Sequence, residues 1–228
     1  MRIVREGWPF ILGCLIASDL FLTGAVILRS GILAGIALIF FIGTAFCAYF
    51  FRDPARVIPP GDSLILAPAD GKILEVIEGK DSISSGPVWI LRIFLSVFEP
   101  HLQRSPMAGR VRAIHYRKGK FLDARDPQAP FENEQNRIEI VASPRPSPDG
   151  RGRSEAAGEG VVVVTQIAGL IARRIVCWVK EGQDIQAGER IGLIRFGSQV
   201  DVVVSKSATL RVKAGDFVTA GDTVLAEI

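Results

Sequence analysis

Val179-Lys180-Glu181-Gly182-Gln183-Asp184-Ile185-Gln186-Ala187-Gly188-Glu189-Arg190-Ile191 returns 33 residues later as Val212-Lys213-Ala214-Gly215-Asp216-Phe217-Val218-Thr219-Ala220-Gly221-Asp222-Thr223-Val224. Apolar, glycine and acidic positions recur in register, so each copy reads as a short strand, a glycine-containing turn and another short strand. Between the copies lies Arg195-Phe196-Gly197-Ser198. Glycine admits backbone angles that other residues avoid, and serine places a hydroxyl one atom beyond Cα. A Gly-Ser bond held between two β units suits self-cleavage, in which the Ser198 oxygen attacks the Gly197 carbonyl. A plain turn is the competing reading, and on the dipeptide alone it is the commoner case.

A second echo lies upstream. Ala67-Pro68-Ala69-Asp70-Gly71-Lys72-Ile73 matches Ser105-Pro106-Met107-Ala108-Gly109-Arg110-Val111 in its proline, glycine, basic and apolar positions. Each reads as a turn feeding a strand. The pattern predicts strands over residues 72–77, 88–95, 110–116, 137–141, 161–166 and 174–179, followed by those of the two late repeats. No long amphipathic helix shows in this part of the chain. The expected fold is mainly β, with lipoyl-like β-sandwich or barrel repeats. Residues 143–160, rich in Ser, Pro, Gly and charge, read as a long mobile hairpin tip.

The start of the chain is different. Of 228 residues, 48% are hydrophobic, and the first 51 account for most of the positive mean hydropathy of +0.30. Residues 8–28 and 31–51 are two apolar stretches, each able to cross a ~30 Å hydrocarbon layer as helix. Only Arg29-Ser30 separates them, which predicts a transmembrane helical hairpin over residues 1–52. Residues 53–62, with Asp53-Pro54 and Pro59-Pro60-Gly61-Asp62, form a linker, and residues 63–228 form the β domain. Arg2 and Arg5 before the hairpin and Arg52 and Arg56 after it outnumber the lone Arg29. The positive-inside rule then puts both ends in the cytoplasm, with the β domain on the cytoplasmic face of the inner membrane. Asp19 interrupts the first stretch, as a polar contact in a helix bundle, as the mark of a shallow hairpin, or as a protonated carboxyl.

Three cysteines, Cys14, Cys47 and Cys177, read as apolar filler in a reducing setting, and no zinc spacing is present. No nucleic-acid partner is expected, and self-association is left open. Of the two histidines, His101 follows a buried strand in a loop, where functional side chains gather. His115 lies within a strand-like run and reads as a partly exposed structural residue. Asp70 sits in a tight Pro-Ala-Asp-Gly turn, whose ordinary reading is turn chemistry.

The run from Gln166 to Asp201, with Ile167-Ala168-Gly169-Leu170-Ile171-Ala172-Arg173-Arg174 and Arg195-Phe196-Gly197-Ser198, closely resembles the short bacterial and archaeal form of phosphatidylserine decarboxylase. Arg5-Glu6-Gly7-Trp8-Pro9, Phe50-Phe51-Arg52-Asp53-Pro54, Ala67-Pro68-Ala69-Asp70-Gly71, Gly119-Lys120-Phe121 and Asn133-Glu134-Gln135-Asn136 extend the likeness over nearly the whole chain. The resemblance implies self-cleavage between Gly197 and Ser198 by an amide-to-ester shift. Elimination would leave dehydroalanine, which hydrolyses to a covalent pyruvoyl group on residue 198 and ammonia. The two fragments would remain together as a heterodimer. Phosphatidylserine in the bilayer would form a Schiff base with that group and lose carbon dioxide, giving phosphatidylethanolamine. Asp70 is the implied base for cleavage, alone or with His101, and His101 the implied proton donor in decarboxylation.

Three positions depart from the family. Larger bacterial members carry two histidines three positions apart in the His101 loop, where Arg104 takes the second place. Gln103 stands where Asn is frequent, and Gln199 where Thr often follows the serine. Arg104 is a candidate for the lipid phosphate, whereas Arg52 and Arg56 read as topology signals or solvated charges. Two alternatives remain: a pyruvoyl decarboxylase of another amine-bearing acid, and a non-catalytic membrane-anchored lipoyl-like adaptor. The adaptor would need a long heptad hairpin between its repeats, and none is present.

Overall fold

The computed structural model describes residues 2–81, 86–142, 160–170, 174–195 and 198–228. The chain divides into two compact units, Met1–Ala55 and Arg56–Ile228. The first is a helical hairpin. Helix α1 (Trp8–Leu28) follows a 3-10 turn (Arg5–Gly7), and α2 (Gly31–Phe50) follows the sharp connection at Arg29-Ser30. Arg29 takes a left-handed conformation, φ 48°, and the Ser30 hydroxyl caps α2 by accepting from Leu33 N. Inside the hairpin Ser18 Oγ donates to the Ala37 carbonyl at 2.9 Å. Short strands β1 (Arg2–Ile3) and β2 (Arg52–Asp53) pair antiparallel and close its base. By length and composition both helices are able to cross a membrane.

The second unit is mainly β, with a curled sheet. In chain order its elements are β3 (Leu64–Leu66), β4 (Gly71–Lys80), β5 (Pro87–Leu95), β6 (Leu102–Arg104), β7 (Gly109–Arg117), α3 (Ala129–Glu132), β8 (Gln135–Ala142) and β9 (Val161–Ala168). There follow β10 (Ile175–Cys177), β11 (Asp184–Ile185), β12 (Arg190–Ile194), β13 (Ser198–Ser205), β14 (Thr209–Leu210), β15 (Phe217–Val218) and β16 (Val224–Glu227). The main sheet runs β11-β7-β8-β9-β13-β5-β4-β15, and two three-stranded sheets, β10-β12-β6 and β14-β16-β3, accompany it. The long strands expected from the sequence are present, each slightly longer, except the run over 174–179, which narrows to β10. The hairpin tip between β8 and β9 falls on residues 143–159, outside the described residues.

The two internal echoes explain each other. The first late repeat docks on the second early turn: Gly182 N donates to Val111 O, Val111 N to Gln183 O, and Gly188 N to Ser105 O. The second late repeat docks on the first early turn in the same way, through Gly215 N to Ile73 O, Ile73 N to Asp216 O, and Gly221 N to Ala67 O. Gly188 and Gly221 hold φ of 74° and 73°, which a side chain would strain. The early turns also exchange bonds with each other, Leu66 N to Pro106 O and Arg104 N to Pro68 O, both 2.8 Å. This crosswise pairing draws residues from Ile65 to Ala226 into one buried core.

Candidate active site

Ser198 opens β13, the strand between β5 and β9. It faces Leu95 on one side and Ala168 on the other. Side chains alternate along a strand, so Ser198 shares its face with Val200, Val202 and Val204, which lie in the core. Its side chain is buried, and its Oγ has no hydrogen-bond partner among the described residues. A buried hydroxyl left unsatisfied costs about 1–3 kcal/mol, so the site carries an orphaned polar atom in its first strand residue. Phe196 and Gly197, and with Gly197 the scissile bond expected from the sequence, lie outside the described residues, as do Ile171, Ala172 and Arg173.

Asp70 arrives at the same end of the sheet. It precedes β4, and extending the Lys72–Phe94 pairing by one residue sets Gly71 opposite Leu95. The row Gly71, Leu95, Ser198, Ala168 therefore crosses four strands, with Asp70 just beyond its first member. At ~4.8 Å per strand, the Gly71 and Ser198 backbones lie roughly 10 Å apart. Only glycine fits at position 71, because a Cβ there would stand 2.2 Å from the Phe94 carbonyl oxygen. The Asp70 carboxylate is met by Arg56, whose NH2 donates to Oδ1 at 2.6 Å, with 13% and 12% of the two side chains exposed. The reading of Arg56 as a solvated charge is thus corrected. Its guanidinium turns inward because a buried carboxylate needs a counter-charge.

His101 is fully buried between β5 and β6. Its Nδ1 lies 2.9 Å from the Glu99 carbonyl oxygen; a carbonyl only accepts, so Nδ1 carries a hydrogen. The His101 carbonyl accepts from Ile194 N at 3.1 Å, which ties this loop to the chain four residues before Ser198. Asp70 and Ser198 are thus brought to one end of the sheet, and the His101 loop is bonded to both approaches: to the Pro68 turn through Arg104 N, and to β12 through Ile194.

Behind His101 runs a chain of buried amides that the sequence reading did not assign. Asn136 Nδ2 donates to Gln166 Oε1 at 3.0 Å, Gln166 Nε2 to Gln103 Oε1 at 2.9 Å, and Gln103 Nε2 to the His101 carbonyl at 2.8 Å. Gly192 makes room for it, since a Cβ there would stand 2.6 Å from Gln166 Nε2. Asn133 works beside it, donating to the carbonyls of Ala168 at 2.8 Å and Leu122 at 3.0 Å while accepting from Leu122 N. Asn133 and Asn136 bracket a motif that the sequence pointed to, and it is their long-range bonds that give them these tasks.

The opposite face of β13 holds a second polar group. Gln199 Nε2 donates to Asp201 Oδ1, Arg92 Nε lies 3.4 Å from Asp201 Oδ2, and Arg92 also pairs with Glu75. Burial pushes the Asp201 carboxyl up to about 6, against the opposing pull of Gln199 and Arg92. Arg104, the candidate for substrate phosphate, instead sends NH1 to the Gly188 carbonyl at 3.0 Å. His115 is largely exposed, 3.3 Å from Glu139.

Ser198, Asp70 and His101 thus lie on elements joined at one end of the β unit, and a comparison with known protein families covers this part of the chain. The phosphatidylserine decarboxylase family matches residues 44–226. This chain belongs to that family, whose reaction lies in phospholipid biosynthesis.

Proposed function

We propose that the protein decarboxylates phosphatidylserine to phosphatidylethanolamine by means of a pyruvoyl group made from its own Ser198. The single observation that carries this reading is the buried Ser198 hydroxyl without a partner at the head of β13. A structural serine in the core would satisfy its hydroxyl, whereas a residue destined to lose it has no such need. The Ser198 position therefore fits the group.

In the proposed processing step the Ser198 oxygen attacks the Gly197 carbonyl while Asp70 takes the hydroxyl proton. The amide is exchanged for an ester, elimination expels the Gly197 carboxylate, and water releases ammonia from the dehydroalanine that remains. Once formed, the pyruvoyl group supplies an electrophilic carbonyl that takes the substrate amine and withdraws electrons as carbon dioxide leaves. His101, with Nδ1 donating to the Glu99 carbonyl, serves as general acid in its imidazolium form, returning the Nε2 proton to the substrate carbon. Arg104 stays in the proposed set as a head-group contact, although one of its nitrogens is committed to Gly188. The hairpin holds the β unit at the cytoplasmic face of the inner membrane, where the lipid substrate lies.

Fragment masses test the reading. We expect two associated pieces, residues 1–197 and 198–228, the second blocked at its N-terminus by pyruvoyl. Presented with phosphatidylserine in detergent, the cut protein should release carbon dioxide. Borohydride added during turnover should link the lipid amine to residue 198. An intact chain of undiminished activity overturns the processing scheme; cut protein that ignores phosphatidylserine but consumes another carboxylated amine overturns the substrate.

A further inference from the structure

Arg56 is the first residue of the β unit, and its guanidinium makes an ion pair with Asp70. Two features separate this contact from a surface ion pair. Both side chains are largely buried, where breaking a pair by removing one partner leaves an uncompensated charge. The grip is also single: NH2 engages Oδ1, while Arg56 Nε is buried without a hydrogen-bond partner. Arginine–carboxylate pairs are frequently two-pronged, and this one is not. Here the guanidinium holds Oδ1 through a single nitrogen, inside a largely buried pair.

We propose that Arg56 is a positioning residue for Asp70: it keeps the carboxylate charged and turned toward the site, so that self-processing at Ser198 depends on it. The inference rests on the proposed role of Asp70 and adds to it a residue that contacts no reacting atom. Arg56 follows directly on the hairpin unit in the chain, yet its partner is 14 residues further on, at the start of β4.

The test follows cleavage of the newly synthesised full-length chain over time. Arg56→Ala should process roughly 10-fold or more slowly, part of the 10²- to 10⁴-fold that a positioned base supplies. Arg56→Lys, which keeps the charge, should recover part of that rate, and added guanidinium ion should speed Arg56→Ala but not Asp70→Asn. In an Asp70→Asn background, Arg56→Ala should change nothing further. Arg110→Ala, which removes an exposed pair with Asp184, serves as the control for losing a cation. Wild-type processing by Arg56→Ala, with Asp70→Asn blocked, overturns the inference and leaves the function standing. So does slow processing of Arg56→Ala that neither lysine nor guanidinium relieves. Normal processing by Asp70→Asn overturns instead the assignment of Asp70, and Arg56 falls with it.

Discussion

Gln166 and Gln103 meet amide to amide at 2.9 Å in the core, and this bond joins the strand beside Ser198 to the loop of His101. Each amide passes the contact on, so the set has a direction that ends at the His101 carbonyl. Cutting it in the middle strands groups at both ends. Gln166→Leu leaves Asn136 Nδ2 and Gln103 Oε1 buried without partners, at about 1–3 kcal/mol each. We expect a clear fall in the thermal midpoint and, in whatever fraction is cut, slower decarboxylation. Unchanged stability would mean that water replaces the amide.

Ser198→Ala should remain a single chain without activity, because no oxygen is left to attack. Ser198→Cys and Ser198→Thr keep a nucleophilic atom and should cut slowly. Gel mobility and fragment mass decide the outcome.

Asp70→Asn should impair cleavage, since a neutral amide cannot take a proton. His101→Ala should depress decarboxylation even in cut molecules. His115→Ala should affect neither step, because its ring is largely exposed and its contact is Glu139. Separate assays of cutting and of carbon dioxide release distinguish the three.

Asp201 makes a prediction about pH. Its carboxyl is raised from 3.8 to about 6 in the fold, so the folded state holds a proton that the unfolded chain gives up. The favourable contribution of this group is complete below about pH 3.8 and is lost as the pH rises through about 6. The loss is on the order of 2–3 kcal/mol at most. The difference in unfolding midpoint between wild type and Asp201→Asn, followed from pH 4 to 7, should therefore shift toward the variant as pH rises. A constant difference would show that Arg92 and Gln199 fully offset the burial.

The late repeats were legible because their glycines stand at turns that only a positive φ allows, and such turns leave a local mark in sequence. The early echo was legible for a similar reason: Gly71 and Gly109 each open a strand and sit against a neighbouring backbone carbonyl. What no local pattern carries is which turn docks on which, since those bonds join positions far apart in the chain. The same holds for the site. Ser198, Asp70 and His101 were marked by motif, but Gln103 and Gln166 are 63 residues apart, and neither has a neighbour that announces the pair. Arg56 was open to reading as a solvated charge because nothing next to it in the sequence shows that it is buried against Asp70.

Strand β13 is paired over eight residues with β5 and over six with β9, and it begins at Ser198. A break before that residue would give the molecule a history. The chain would fold once as a unimolecular process, but any later refolding would require two separate polypeptides to find each other and rebuild the centre of a sheet. Heat or denaturant should then inactivate the mature protein irreversibly, while the uncut Ser198→Ala chain retains a route back. The working lifetime of the cut form would be set by the rate at which β13 leaves its neighbours, since there would be no practical return.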